Sequence, residues 1–265
     1  MTGSRARITA ITFDFGNTLV PVDRASLRRV VERTADAVSA RAPDIDRDAF
    51  LETWAEERER QFREEIPAFR EVDLGQRLVR VFARLRGGVA PPPPDRRWDQ
   101  DEAARHSDPD EVAAAIDAYS TAFVDGLRPG RGVSAMLRRL AGSYALGILS
   151  NWPHAATIDA YAEANGWLPH LRTITVSQRV GTIKPHPAIF AAARDALGGR
   201  PPGSILHVGD DWAADVVGAD AAGWQAGWVR DRPRDSPLPA SERLGSVVPA
   251  FELKTVTDLE AALGR

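Results

Sequence analysis

Four places in the chain set chemically capable side chains just past an apolar run. Asp14 follows Ile8-Thr9-Ala10-Ile11-Thr12-Phe13, and Ser150 and Asn151 follow Tyr144–Leu149. Lys184 sits in Gly181-Thr182-Ile183-Lys184-Pro185, and Asp210 and Asp211 follow Ser204–Val208, with Asp215 one helical turn on. Taken singly, each has an ordinary explanation: an aspartate closing a turn, a serine capping a helix, a surface lysine, a pair of helix caps. Taken together they bring a nucleophilic carboxylate, a hydroxyl, an ammonium and a carboxylate cluster to one edge of one sheet. That is where open α/β sheets bind ligands. The set suits a phosphate ester. Asp14 could attack phosphorus in line. Two carboxylates could hold Mg²⁺, which prefers few protein ligands. The lysine and the hydroxyl could neutralise and orient phosphoryl oxygens.

The elements needed to position these groups are readable in outline. From Arg128 onward apolar runs and amphipathic stretches alternate, the signature of parallel βαβ units. Strands are expected over Tyr144–Leu149, Thr173–Val176, Ser204–Val208, Gln225–Val229 and Val247–Leu253, and a helix over Ala213–Ala222. Between Asp23 and Asp125 the pattern is helical and strand-poor, so the first strand belongs with the second half of the chain. The expectation is an α/β fold, a Rossmann-like three-layer parallel sheet core formed by residues 1–20 and 126–265, with an α-helical cap inserted over 21–125. Within the cap, Glu56-Glu57-Arg58-Glu59-Arg60 reads as a solvated helix face. Pro91-Pro92-Pro93-Pro94 reads as a stiff surface excursion. Trp54, Phe62 and Phe69 could line the site, but packing is the better reading of each.

Composition narrows the function. The 265 residues carry a net charge of −3, which gives no reason to expect nucleic acid. There is no cysteine, which excludes thiolate catalysis and disulfides. No apolar run approaches the ~20 residues that span a bilayer. Met1-Thr2-Gly3-Ser4-Arg5 lacks the apolar core of a signal peptide, so a cytoplasmic location is expected, with no membrane partner. The expected partner is a small phosphorylated molecule, and the expected state a monomer or homodimer.

The motifs resemble those of the haloacid dehalogenase superfamily, and of its phosphatase-like members with a helical cap. Asp14-Phe15-Gly16-Asn17-Thr18 is similar to the first motif and Leu149-Ser150-Asn151 to the second. Lys184-Pro185 with Pro187 and Phe190 is similar to the third, and Gly209-Asp210 with Asp215, Gly218-Ala219 and Ala222-Gly223 to the fourth. The resemblance implies that Asp14 is the nucleophile and a Mg²⁺ ligand, that Ser150 and Lys184 bind the phosphoryl group, and that Asp210 ligates Mg²⁺. It places the main-chain carbonyl of Gly16 on the metal, Asp215 and Asp211 behind it, and Asn151 beside the substrate. For Asp211 and Asn151 a purely local role competes.

One position departs from the pattern. Most phosphatases of the superfamily carry a second aspartate two residues after the nucleophile, as the acid and base; here the residue is Gly16. Glycine transfers no proton, and general acid–base help contributes about 10²–10⁴-fold. The substrate could have a good leaving group, or His154, His186 or Asp23 could supply the proton, although each reads better as a cap or surface group. The leading expectation is a Mg²⁺-dependent phosphohydrolase acting through an aspartyl-phosphate. The alternatives are a metal-independent haloacid dehalogenase, a phospho-ligand-binding relative with little turnover and, weakest, a receiver domain.

Overall fold

The computed structural model describes residues 6–264. The pentapeptide read against a signal sequence lies outside the described residues. Six strands form one parallel sheet: β1 (Ala10–Phe13), β2 (Ala145–Ser150), β3 (Thr173–Val176), β4 (Ile205–Gly209), β5 (Gln225–Val229) and β6 (Phe251–Leu253). Their order is β3-β2-β1-β4-β5-β6. All four residues of β1 are buried, as a central parallel strand covered on both faces requires. Phe13 pairs with Ile148 of β2 and Val208 of β4. The next step of the register therefore sets Asp14 level with Leu149 and Gly209. Three of the chemically capable segments leave the sheet side by side for this reason.

Helices cover the sheet after β1 has been left and re-entered. α1 (Arg24–Arg41), α2 (Arg47–Glu65), α3 (Leu74–Leu85), α4 (Gln100–Arg105) and α5 (Pro109–Gly126) lie between β1 and β2. α6 (Val133–Ala141) leads into β2, and α7 (Ala155–Ala164), α8 (Ser177–Val180) and α9 (Pro187–Ala196) follow. Each of the five inserted helices starts at an aspartate whose carboxylate accepts a backbone N–H: Asp23, Asp46, Asp73, Asp99 and Asp108. A cap of this kind stabilises a helix by about 0.5–2 kcal/mol. Asp23, considered above as a proton donor, is thereby committed to α1.

The structure revises four readings. A helix not foreseen, α4, follows the proline run, whose Pro92 and Pro93 carbonyls accept hydrogen bonds from Arg60. The charged run 56–60 is not a uniformly solvated face. Glu57 is buried, accepting from Trp98 Nε1 and Arg84 Nη1 at 2.9 Å each. Charge spacing alone could not show that an indole N–H would draw one carboxylate inward. The helix expected over Ala213–Ala222 is a π-helical turn, Trp212–Val217, continued by α10 (Gly218–Ala221). The strand expected from Val247 is confined to β6, before the short α11 (Leu259–Ala262).

An aromatic cluster ties the inserted helices to the sheet. The buried ring of Phe15, next to Asp14, lies 6.1 Å from Phe123 of α5, 5.5 Å from Trp152 and 5.2 Å from Tyr161. Edge-to-face pairs add about 0.5–1.5 kcal/mol each beyond the area they bury. No helix among the described residues is long and apolar enough to cross a membrane. Truncating the ring that joins the two layers leaves a cavity, so Phe123→Ala should destabilise the protein by about 3–5 kcal/mol in urea denaturation.

Candidate active site

The bend after β1 is built by Asn17, whose backbone takes the left-handed conformation (φ 57°) that asparagine tolerates better than most residues. Its side-chain oxygen accepts from Val22 N at 3.2 Å, which pins the chain as it turns toward α1. Asp14, at the end of β1, donates its backbone N–H to Val208 O at 2.8 Å. Its side chain faces Lys184.

Lys184 is the hub. Its ammonium donates to Asp14 Oδ1 at 2.7 Å, to Asp215 Oδ1 at 2.6 Å and to the carbonyl of Leu149 at 2.9 Å. Burial opposes its charge, but the two carboxylates outweigh that and hold the ammonium above its ordinary value. Burial likewise acts against the charge of Asp215, yet Lys184 and His207 hold that carboxyl well below the usual range. His207, in β4, is pulled down by burial and stays neutral. It bonds Asp215 Oδ1 through Nε2 at 3.0 Å and Thr12 Oγ1 through Nδ1 at 2.9 Å. The second oxygen of Asp215 accepts the backbone N–H of Asp211 at 2.9 Å.

Glycine makes this approach feasible. A Cβ on Gly209 would lie 2.1 Å from the Asp215 carboxylate. The π-helical turn carries Asp215 back over the end of β4 into that space.

All the residues singled out from the sequence border one pocket of about 90 Å³: Asp14, Gly16, Ser150, Asn151, Lys184, Asp210, Asp211 and Asp215. Ser150 is buried, and its hydroxyl has no hydrogen-bond partner among the described residues. The other two polar neighbours have local duties. The Asn151 amide grips the main chain of Lys184, accepting its N–H at 2.7 Å and donating to its carbonyl at 3.1 Å. Both of its polar groups are thereby committed to positioning the lysine. Asp211 caps the π-helical turn through Ala214 N and accepts from both the backbone and the hydroxyl of Ser241.

The donor set suits a divalent cation. Carboxylate oxygens of Asp14, Asp210 and Asp215 lie within 4.8 Å of one another. Burial, and then the neighbouring carboxylates, push Asp210 well above the usual range. Burial also raises Asp14, against the pull of Lys184. Three carboxyl groups face two cations, Lys184 and Arg232. Asp215 is engaged on both oxygens, and those of Asp210 meet the Thr18 hydroxyl at 3.3 Å and Arg232 at 2.9 Å, so the oxygen left over is Oδ2 of Asp14.

Several contributors were not visible in the sequence. Residues 230–246, between β5 and β6, fold over the pocket as a strap. Arg232 reaches Asp210 Oδ2 at 2.9 Å, and its other donors hold the carbonyls of Leu238 and Pro239. Ser236 bonds the Asn17 side chain at 3.0 Å. Leu238 fills the space over Gly16: a Cβ there would meet Leu238 Cδ1 at 2.5 Å. Among the described residues, the atoms nearest to a Cβ on Gly16 belong to Leu238 and Trp152, neither of which titrates. His154 is engaged by Thr157 at 2.9 Å, and His186 caps α9 through Ala188 N.

A larger cavity, about 280 Å³, adjoins this pocket and shares Asn151, Trp152, Lys184 and Leu238 with it. Its far wall comes from the inserted helices. Phe62 and Phe69 line it, so neither is confined to packing. The turn at Phe69 (φ 54°) brings its carbonyl onto Ile183 N and Thr182 Oγ1, beside the lysine loop.

Comparison with known proteins bears on the fold and the family. The chain is 24% identical over 147 residues to the pyrimidine 5'-nucleotidase YjjG of Escherichia coli, covering 56% of this chain and 62% of that one. It is 29% identical over 118 residues to the 5-amino-6-(5-phospho-D-ribitylamino)uracil phosphatase YigB of the same organism, covering 44% and 48%. The chain thus spans about half to three fifths of these relatives. A 2-haloacid dehalogenase from Pseudomonas syringae superposes with a TM-score of 0.66 at 21% identity, over 97% of this chain and 99% of that one. The HAD hydrolase YfnB of Bacillus subtilis, bound to magnesium, superposes with a TM-score of 0.62 at 16% identity, over 98% and 100%. The haloacid dehalogenase-like hydrolase profile matches residues 8–223, most of the chain, and the protein belongs to that hydrolase family.

Proposed function

We propose that the protein is a Mg²⁺-dependent phosphohydrolase of a small phosphorylated metabolite, working through an aspartyl-phosphate on Asp14, with residues 21–125 acting as its cap. The observation that carries this reading is Ser150: a buried hydroxyl with no protein partner, on the wall of the pocket that Asp14, Lys184 and Asp210 share. Such a hydroxyl is costly unless a ligand supplies its hydrogen bond. The names of the two curated relatives, a nucleotidase and a phosphatase, point the same way.

Lys184 keeps Asp14 oriented and draws charge from the phosphoryl oxygens as they develop it. An Asp14 oxygen bonds to phosphorus while the ester P–O bond breaks, and the leaving oxygen takes its proton from solvent. Water then attacks phosphorus, the Asp14–phosphorus bond breaks, and inorganic phosphate departs with a proton released. Asp14, Asp210 and the Gly16 carbonyl would hold Mg²⁺. When bound, it supplies positive charge to the phosphoryl oxygens. Leu238 excludes water from the position over Gly16, so neither step receives a proton from the protein.

A second reading, metal-free dehalogenase-type hydrolysis, has one observation in its favour. Arg232 already supplies a cation to Asp210. The two readings separate in the same assay. The phosphohydrolase should lose turnover of p-nitrophenyl phosphate with EDTA and with Asp14→Asn. Haloacid hydrolysis that persists in EDTA would reverse the assignment.

Without a general acid, rate should fall steeply with leaving-group basicity. Across aryl and alkyl phosphates, kcat/KM should favour p-nitrophenol over simple alcohols by about 10²–10⁴-fold. The double variant Gly16→Asp/Leu238→Ala should flatten that slope. Gly16→Asp alone should flatten it less, because Leu238 occupies the space the new side chain needs. Removing the competing guanidinium should tighten metal binding. Arg232→Ala should therefore lower the Kd for Mg²⁺ by calorimetry, and an unchanged Kd would show that Arg232 does not oppose the ion.

A further inference from the structure

The cavity beside the phosphoryl pocket carries two guanidinium groups that the proposed chemistry does not use. Arg77, on α3, is buried, with Nε on Gln61 Oε1 at 2.9 Å and its plane 5.2 Å from the Trp54 ring. Arg58, on α2, lies 4.6 Å from the Phe62 ring. Among the described residues neither forms an ion pair. Burial draws Arg77 down to about 10, and the charge of Arg58 lowers it further; burial also lowers Arg58. The nearby acids are taken. Glu71 accepts from the Ser177 hydroxyl and from Val72 N, and Asp73 caps α3 and accepts from Gln178. The hydroxyl of Tyr119 feels both cations.

A buried and a half-buried guanidinium on the wall of a ligand-sized space, neither held in an ion pair among the described residues, are an arrangement that an anion would complete. Resting on the phosphohydrolase reading, we propose that the substrate is a phosphomonoester with a second anionic group, a carboxylate or a further phosphate, received by Arg58 and Arg77 while the ester enters the pocket of Asp14. Phe62 and Phe69 line the same cavity, so the body of the substrate is apolar or planar. The aliphatic stems and rings explain why a cavity rich in carbon also holds two charges.

The test compares matched pairs. ω-Carboxyalkyl phosphates of two to six carbons and 4-carboxyphenyl phosphate are each set against the corresponding primary amide, with ω-phosphoalkyl phosphates as a second arm. For at least one length, kcat/KM should favour the anion by about ten- to a hundred-fold, the range of charge-assisted hydrogen bonds. The arm with the larger preference identifies the anion. In Arg58→Gln the preference should fall toward unity, and in Arg58→Lys it should be partly kept. Calorimetric binding of the non-hydrolysable phosphonates reads the same preference without turnover. A protein that keeps this preference but hydrolyses nothing would lose the phosphohydrolase reading and retain this one. Equal affinity for acid and amide at every length, or a preference untouched in Arg58→Gln, would overturn it.

Discussion

The site depends on one buried ammonium. Lys184 has three hydrogens to donate, and all three are used, on Asp14, on Asp215 and on the end of β2. These partners come from three separate segments, so the lysine registers the carboxyl ends of β1 and β2 against the turn after β4. Removing one partner of a buried ion pair costs about 3–5 kcal/mol, because the other is left as an uncompensated charge. The same geometry aims Asp14. Its orientation is set by a contact that cannot relax without exposing the lysine, and Asn151 fixes the backbone from which that lysine extends.

Around this contact the chain has made room by subtraction. Gly209 lacks the Cβ that would collide with Asp215, and the π-helical turn supplies the extra backbone needed to fold Asp215 back over the strand end. Gly16 lacks the side chain that would hold a proton donor, and Leu238 has moved into the vacancy. The first omission tightens the polar network. The second puts an apolar side chain on one wall of the pocket.

Much of the scaffold was legible in the residues. The alternation of apolar runs after Arg128 gave five of the six strands close to their places, and the run before Asp14 gave the sixth. Asp14, Ser150, Lys184 and Asp210 stood out because each follows a strand or a glycine-marked turn, and parallel strands in register bring such positions together. What escaped was set by contacts distant in sequence. Arg232, Leu238 and Ser241 lie in a stretch rich in proline, serine and charge that has the texture of an unremarkable loop. His207 is one polar residue in an apolar strand, and its role follows from Asp215 only once the helix after it bulges. Glu57 was mistaken for a surface charge because its partners, Trp98 and Arg84, lie far along the chain.

The strap lies wholly beyond residue 223, where the match to the family profile ends. The profile also stops short of β5 and β6, so the segment over Gly16 and Asp210 and the strands that flank it all lie outside the matched span. Substitutions in residues 230–246 can alter the wall over Gly16 and the ion pair on Asp210 without touching a strand residue.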